Sequence, residues 1–483
     1  MIKTYPLPET EPESQDYTVT IDGVTIDGEN VGVYQCRVSA MPFNTVWPGC
    51  QRPIEQTEMA SFISFDMDTD GEPARLRVKV LREFHDAIVR PLSKNIKPVR
   101  DGGSLSFEIA APGQYTLEID GFHNALHIFV NKTEDYKIDR NAPDVIYFGP
   151  GVHRPGLIEL KSGQTLYADS GAVVHTAITA ENQSNIRVVG HGILDNSEFH
   201  RTGDRGQYAN SCMVLRRCKN VEVRGVTFRD ACAWTLTAWG CENIVIDNAK
   251  AIGMWRYNSD GFDMCNSRNV VISNCFVRAF DDCIVLKGFP HYNDMNVENI
   301  IVTGCVIWCD WGRGLEIGAE TCAREYRNIL FGDCDVIHSA HMAMDIQNSG
   351  NAHAHDVVFD NIRVEYSKYC DEPIYQHSMD MEYKPHGNTH MPYLMYAEIH
   401  DYYHNMLVPG TEHGRNSGIE FRNIYVYLDE GLPTPPSVFK GLSDRNDTSG
   451  IKIRSLYING EKMETLEKAA VSIGSFAHDI AID

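Results

Sequence analysis

Asn220-Val-Glu-Val-Arg-Gly-Val-Thr-Phe228, Asn243-Ile-Val-Ile-Asp-Asn-Ala-Lys-Ala251, Asn269-Val-Val-Ile-Ser-Asn-Cys-Phe-Val277 and Asn299-Ile-Ile-Val-Thr-Gly-Cys-Val-Ile307 follow one template: a polar start, an alternating strand, a turn. Asn328 and Asp356 begin two more copies, so successive starts lie 23, 26, 30, 29 and 28 residues apart. Asn185 opens the series and Asn423 extends it. Short strands at such a period imply a parallel β-helix, because one coil cannot bury its apolar edge until others stack on it. Six residues after three of the starts lie Cys275, Cys305 and Cys334. One column of thiols offers no tetrahedral cage, so these are packing groups and no metal is expected.

Upstream, Tyr17–Ile21, Phe62–Met67, Arg75–Leu81, Leu105–Ile109, Tyr115–Ile119 and Ala125–Val130 alternate between turn signals. This pattern predicts a small β-sandwich over residues 1–138, with 131–145 as linker and the β-helix over 139–483. The chain is therefore expected to be all-β. A net charge of −23 across 483 residues argues against nucleic-acid or anionic-membrane partners, which require a basic surface. No run of about 18 apolar residues occurs. A polar start without a signal-peptide core, and fourteen Cys with no CxxC pair, predict a cytoplasmic address. The sequence sets no oligomeric state.

The second strands of successive coils align as Asp260-Gly-Phe-Asp-Met-Cys265, Asp282-Cys-Ile-Val-Leu-Lys287, Arg313-Gly-Leu-Glu-Ile-Gly318 and Met342-Ala-Met-Asp-Ile-Gln347. Their third and fifth positions are apolar and point inward. The fourth and sixth then point outward and hold Asp263, Glu316 and Asp345, then Lys287, Gly318 and Gln347. With Asp260, Asp281 and Asp282 in the preceding turns, one exposed face gathers six carboxylates. Such a cluster either is a solvated acidic face holding a cation or does acid/base work, with one carboxyl protonated and a neighbour ionised.

Asn258-Ser-Asp-Gly261, Asp281-Asp-Cys283 and Gly312-Arg-Gly314 resemble, in order and at one-coil spacing, the motifs of glycoside hydrolase family 28, the polygalacturonases. The resemblance covers about residues 145–460. Val89-Arg-Pro-Leu-Ser93 and Leu126-His-Ile-Phe-Val130 are similar to the β-sandwich that precedes the β-helix in family 49, the dextranases and isopullulanase. The resemblance implies a right-handed β-helix, an inverting O-glycosyl hydrolase and no cofactor. It makes Asp281 the general acid and Asp260 and Asp282 the carboxylates that activate water. Where the family has His, this chain has Arg313, which cannot shuttle protons. Where the family holds the substrate carboxylate with Arg-x-Lys, this chain has Asp345 and Gln347. The expected substrate is therefore a neutral, α-linked oligo- or polysaccharide of dextran or isomalto type. The alternatives are a pectic oligosaccharide (galacturonate- or rhamnogalacturonan-type) held by Lys287 or Arg313, a lyase, and a non-catalytic carbohydrate-binding β-helix.

Arg313, Glu316, Lys287, Asp263, Asp345 and Gln347 are expected to contact the sugar. Trp311 and Trp234 are expected to stack on it as subsite walls. Residues 367–418, rich in Tyr, His and Met, break the repeat and are read as an insertion over one end of the groove.

Overall fold

The computed structural model describes residues 1–22, 30–39, 43–45, 54, 57–69, 72–201, 211–368, 374–376, 391–401, 407–408 and 410–483. They contain strands and two short 3-10 turns, and no helix is long and apolar enough to cross a membrane. From Val145 onward, 32 strands form one continuous sheet wound as a right-handed parallel β-helix. Each coil supplies three strands. A first face carries Lys219–Arg224, Glu242–Asp247, Arg268–Ser273 and Val297–Thr303. A second carries Thr227–Arg229, Lys250–Ile252, Phe276–Ala279 and Val306–Cys309. A third carries Leu236–Trp239, Phe262–Cys265, Ile284–Gly288, Arg313–Thr321 and Met342–Asn348.

The polar start of each repeat has a backbone cause. Asn185, Asn220, Asn243, Asn269, Asn299 and Asn328 all adopt φ between 52° and 58°, a left-handed corner that Asn tolerates better than other side chains bearing a Cβ. Their amides then link coil to coil. Asn243 donates to Asn220 at 2.9 Å, Asn269 to Asn243 at 3.0 Å and Asn299 to Asn269 at 2.8 Å. Asn269→Ala is expected to cost about 1–2 kcal/mol from the corner alone. The two lost ladder bonds add to this, and urea unfolding measures the total. Asn269→Gly should recover the backbone part. The thiol column is as expected: Cys275, Cys305 and Cys334 are fully buried and unpaired by disulfides.

The N-terminal strands form two sheets, one of six strands and one of five. Tyr17, Ile21, Leu76 and Val78 from one pack on Phe65, Leu117 and Ile128 from the other. The opposite side of the six-stranded sheet places Tyr34, Phe62 and Phe129 on Phe276, Val306 and Trp308 of the second helix face. This contact extends the last sandwich strand beyond its expected end. It runs over Leu126–Lys132, and Asn131, read as linker, is fully buried and accepts hydrogen bonds from Lys250 Nζ and Asn248 Nδ2. The proposed boundary at 138 falls in the coil between Lys132 and Val145.

The expected insertion needs a second correction. Tyr393–Ile399 lies inside 367–418 yet is a regular coil strand, in register with Met342–Asn348. It is the third-face strand of the coil that Asp356 opens, but residues 367–392 separate it from the end of Val357–Tyr366, so the spacing of the repeat does not reach it. The rest of the segment, 369–373, 377–390, 402–406 and 409, lies outside the described residues.

Candidate active site

The turns leading into the third face carry the chemistry. Asp260 precedes Phe262–Cys265, Asp281 and Asp282 precede Ile284–Gly288, and Gly312 precedes Arg313–Thr321. The register confirms the aligned column: Asp263 pairs with Val285, Val285 with Glu316, and Glu316 with Asp345. The sixth-position column is different. After Leu286↔Ile317 the ladder resumes only at Gly288↔Thr321, so Gly318, Ala319 and Glu320 bulge outward and Gly318 does not oppose Lys287. The bulge brings Glu320 near enough to act electrostatically on Asp260 and Lys287, a contribution that the repeat hides.

The acidic face is not exposed as the alternation suggested. Asp263, Glu316 and Asp345 are fully buried, and Asp260, Asp281 and Asp282 are at most 5% exposed. Two cations make this possible. Lys287 Nζ lies 2.8 Å from Asp260 Oδ2, 3.2 Å from Asp282 Oδ2 and 3.3 Å from Asp263 Oδ1, and it also sits 4.1 Å over the Trp234 ring. Arg313 reaches Asp282 at 3.4 Å, Asp345 at 3.7 Å and Glu316 at 4.0 Å. Asp282 is thus the one carboxylate that both cations touch.

Its neighbour is treated in the opposite way. Asp281 forms no ion pair among the described residues; its Oδ2 accepts a hydrogen bond from Asn258 Nδ2 at 3.2 Å. Burial, then the charges of Asp260 and Asp282, push its carboxyl well above the usual range, so it stays protonated. Burial would also raise Asp282, but Lys287 and Arg313 outweigh it and hold that group below the usual range, ionised. Burial pushes Asp260 and Asp345 up to about 7, and Asp263 and Glu316 well above the carboxylate range. The neighbouring Glu316 carboxyl also favours the ionised form of Asp282.

Asn258 in turn is oriented by Arg201, whose Nη2 donates to Asn258 Oδ1 at 3.0 Å. Arg201 carries no motif signal, whereas Asn258 stands in the Asn-Ser-Asp-Gly run. Gly312 is required by close approach: a Cβ there would lie 2.5 Å from the Asp281 carbonyl carbon and 2.7 Å from its Oδ1. Gly312→Ala should therefore displace the acid and lower kcat about 100-fold. Steady-state kinetics of the folded variant measures this.

Gln347 Nε2 donates to Asp345 Oδ2 at 2.7 Å, closing that corner. One coil on, Glu398 faces Gln347 and takes Lys440 Nζ at 2.6 Å, so this cation is committed as well. The two tryptophans are less exposed than sugar platforms would be. Trp234 is 5% exposed and stacks on Trp239 at 5.6 Å, forming the floor under Lys287. Trp311 is 9% exposed and stacks on Phe280 at 5.6 Å. Among the described residues no group of three or more His, Cys, Asp or Glu is arranged to hold a metal.

A parallel β-helix that sets a protonated carboxyl, Asp281, beside an ionised one, Asp282, in a single turn fits what the family 28 motifs imply. The family model for glycosyl hydrolases family 28 matches residues 154–406, more than half of the chain, and the chain belongs to that family. It is similar to the exopolygalacturonase clone GBGE184 of Arabidopsis thaliana, 26% identical over 43% of this chain and 50% of that one. It is also similar to a polygalacturonase of Malus domestica, 22% identical over 45% of this chain and 49% of that one. The chain spans about half the length of the curated relatives it matches. Dex49A from Penicillium minioluteum shares the fold across all of this chain and 96% of its own, with a TM-score of 0.57 at 13% identity. The family 28 exopolygalacturonase of Yersinia enterocolitica shares it over 85% of this chain and 96% of its own, with a TM-score of 0.51 at 13% identity.

Proposed function

We propose that the chain is an inverting glycoside hydrolase that cleaves an α-glycosidic bond in a pectic oligosaccharide. The observation that carries the reading is the split between adjacent carboxyls: Asp281, without a cation, keeps its proton, while Asp282, touching Lys287 and Arg313, does not. Asp281 protonates the leaving glycosidic oxygen. Asp282, assisted by Asp260, takes a proton from water attacking the opposite face of the sugar. Inversion needs the acid and base roughly 6.5–9.5 Å apart to admit that water. Asp260 lies one coil from Asp281, and Asp282 stands beside Asp281 in the same turn, so the water is placed between Asp260 and Asp282.

The substrate expectation changes. The pectic class is supported by the polygalacturonase relatives, whereas for the dextran-type reading, drawn from Asp345 and Gln347, Dex49A adds a likeness of fold only. The earlier objection, that Asp345 and Gln347 repel a uronate, narrows the reading further. Lys287, Arg313 and Lys440 are all engaged by carboxylates, so the sugar facing Asp345 and Gln347 is a neutral residue of a mixed pectic chain. Reducing-end release from homogalacturonan-, rhamnogalacturonan- and isomalto-type oligosaccharides tests this. Release from mixed pectic chains is expected. Release from isomalto chains alone would return the neutral-glucan reading, and NMR of the first-formed anomer tests inversion.

A further inference from the structure

Arg201 follows the second-face strand Ile193–Asp195 and stands two coils before the turn that holds Asn258. Its guanidinium crosses the intervening coil and meets that turn twice. Nη1 donates to the Tyr257 carbonyl at 3.1 Å, and Nη2 donates to Asn258 Oδ1 at 3.0 Å. A guanidinium only donates, so the Asn258 atom facing it is the oxygen, and the amide nitrogen is turned the other way. Asn258 Nδ2 also only donates, and it faces Asp281 Oδ2 at 3.2 Å. The oxygen it meets must be the unprotonated one. The proton of the neutral Asp281 carboxyl therefore sits on Oδ1. No hydrogen bond from the described residues reaches Oδ1, the oxygen that a Cβ on Gly312 would approach to 2.7 Å.

We propose that Arg201 is a positioning residue for the hydrolysis: by fixing the orientation of the Asn258 amide, it keeps the transferable proton of Asp281 on Oδ1. This role rests on Asp281 being the proton donor under the proposed function. The proton leaves Oδ1 for the glycosidic oxygen as the carbon–oxygen bond to the leaving sugar breaks, while the base takes a proton from the attacking water. The carboxylate left on Asp281 keeps the Asn258 N–H on Oδ2. One amide thus serves the acid before transfer and the anion after it. Without Arg201 the amide is free to turn over. Its oxygen would then accept the Asp281 proton, which ties the proton up and favours the neutral carboxyl. Asp260, Asp282, Lys287 and Arg313 also act on Asp281 as charges, and the Cys309 thiol donates to its backbone carbonyl at 3.4 Å. All of these groups remain when Arg201 is replaced.

Infrared difference spectra of each protein against the same protein carrying Asp281→Asn follow the Asp281 carboxyl without any substrate. Arg201→Met should raise the pH at which this carboxyl ionises by about one unit, the worth of one exchanged hydrogen bond. On the pectic oligosaccharide that the wild type cleaves, the alkaline limb of kcat/KM should move by the same amount. The kcat should fall about tenfold with KM nearly unchanged. Losing the Arg201 charge would by itself also move Asp281, and a double-mutant cycle separates the two causes. Asn258→Gly removes the amide at a position whose φ of 55° suits glycine, and Arg201→Met in that background should add almost no further shift. Arg201→Lys, which still only donates, should recover part of the wild-type behaviour. Arg201→Gln, which can meet either end of the amide, takes the place of Arg201→Met if the latter does not fold, and its shift should be smaller and of the same sign. An equal shift with and without the Asn258 amide, or none with it, would overturn the proposal. If Asp281→Asn is inactive and the cycle shows no coupling, the positioning role alone fails. If the infrared cycle shows the coupling but Asp281→Asn turns over like wild type, the oriented proton stands and the proposed activity of Asp281 fails.

Discussion

Asp281→Asn leaves a folded protein that binds substrate and turns it over about 100- to 10,000-fold more slowly, the usual worth of one positioned proton donor. The amide keeps the shape and still meets Asn258, but it has no proton to give. Two accompanying results identify the role. Substrates with a leaving group that needs no protonation should lose much less rate. The wild-type profile of kcat/KM against pH should be bell-shaped. Its acid limb comes from Asp282, held below the usual range, and its alkaline limb from Asp281, held above it. Asp281→Asn should lose the alkaline limb. A variant that retained both that limb and the wild-type rate would remove Asp281 from the mechanism.

Lys287→Met is expected to have the largest effect on stability. It deletes the buried cation shared by Asp260, Asp263 and Asp282 and leaves their oxygens without it. Breaking a buried ion pair from one side costs about 3–5 kcal/mol, which chemical denaturation near neutral pH would show. Without Lys287, Asp282 loses its nearest positive charge, so the acid limb of the rate profile should move to higher pH. The penalty also depends on pH. Asp260 and Asp345 titrate near 7 in the folded chain and near 4 when unfolded, so the folded state binds their protons more tightly. Their contribution to stability is full below about pH 4 and is lost as pH rises through 7. Lys287→Met should therefore be partly rescued at low pH, where the carboxyls are neutral. A Tm unchanged from wild type at neutral pH would contradict the shared-cation account.

The solenoid was legible because its causes are local. A left-handed corner needs Asn, an inward position needs an apolar side chain, and a coil needs a fixed number of residues. Each leaves a mark at a fixed spacing, from Asn185 to Asn423. The column Asp263–Glu316–Asp345 was legible for the same reason, since alternation alone puts it outside the core. Tyr393–Ile399 was missed because residues 367–392 separate it from Val357–Tyr366 of its own coil, and the fixed spacing is lost.

By itself, then, the sequence determined the β-helix, the sandwich strands, the carboxyl column and the place of Asp281 and Asp282 within known motifs. Only the tertiary structure decided what those carboxyls are. They are buried, because turns of several coils and the side chains of Lys287 and Arg313 close over them. They differ in protonation, because both cations pair with Asp282, whereas at Asp281 burial and the charges of Asp260 and Asp282 outweigh their pull. The bulge at Gly318–Glu320 adds a further charge that no alignment of repeats contains. Proton affinity depends on desolvation and on charges a few ångströms away through space. Residues that are adjacent in the chain share a motif, but they need not share an environment.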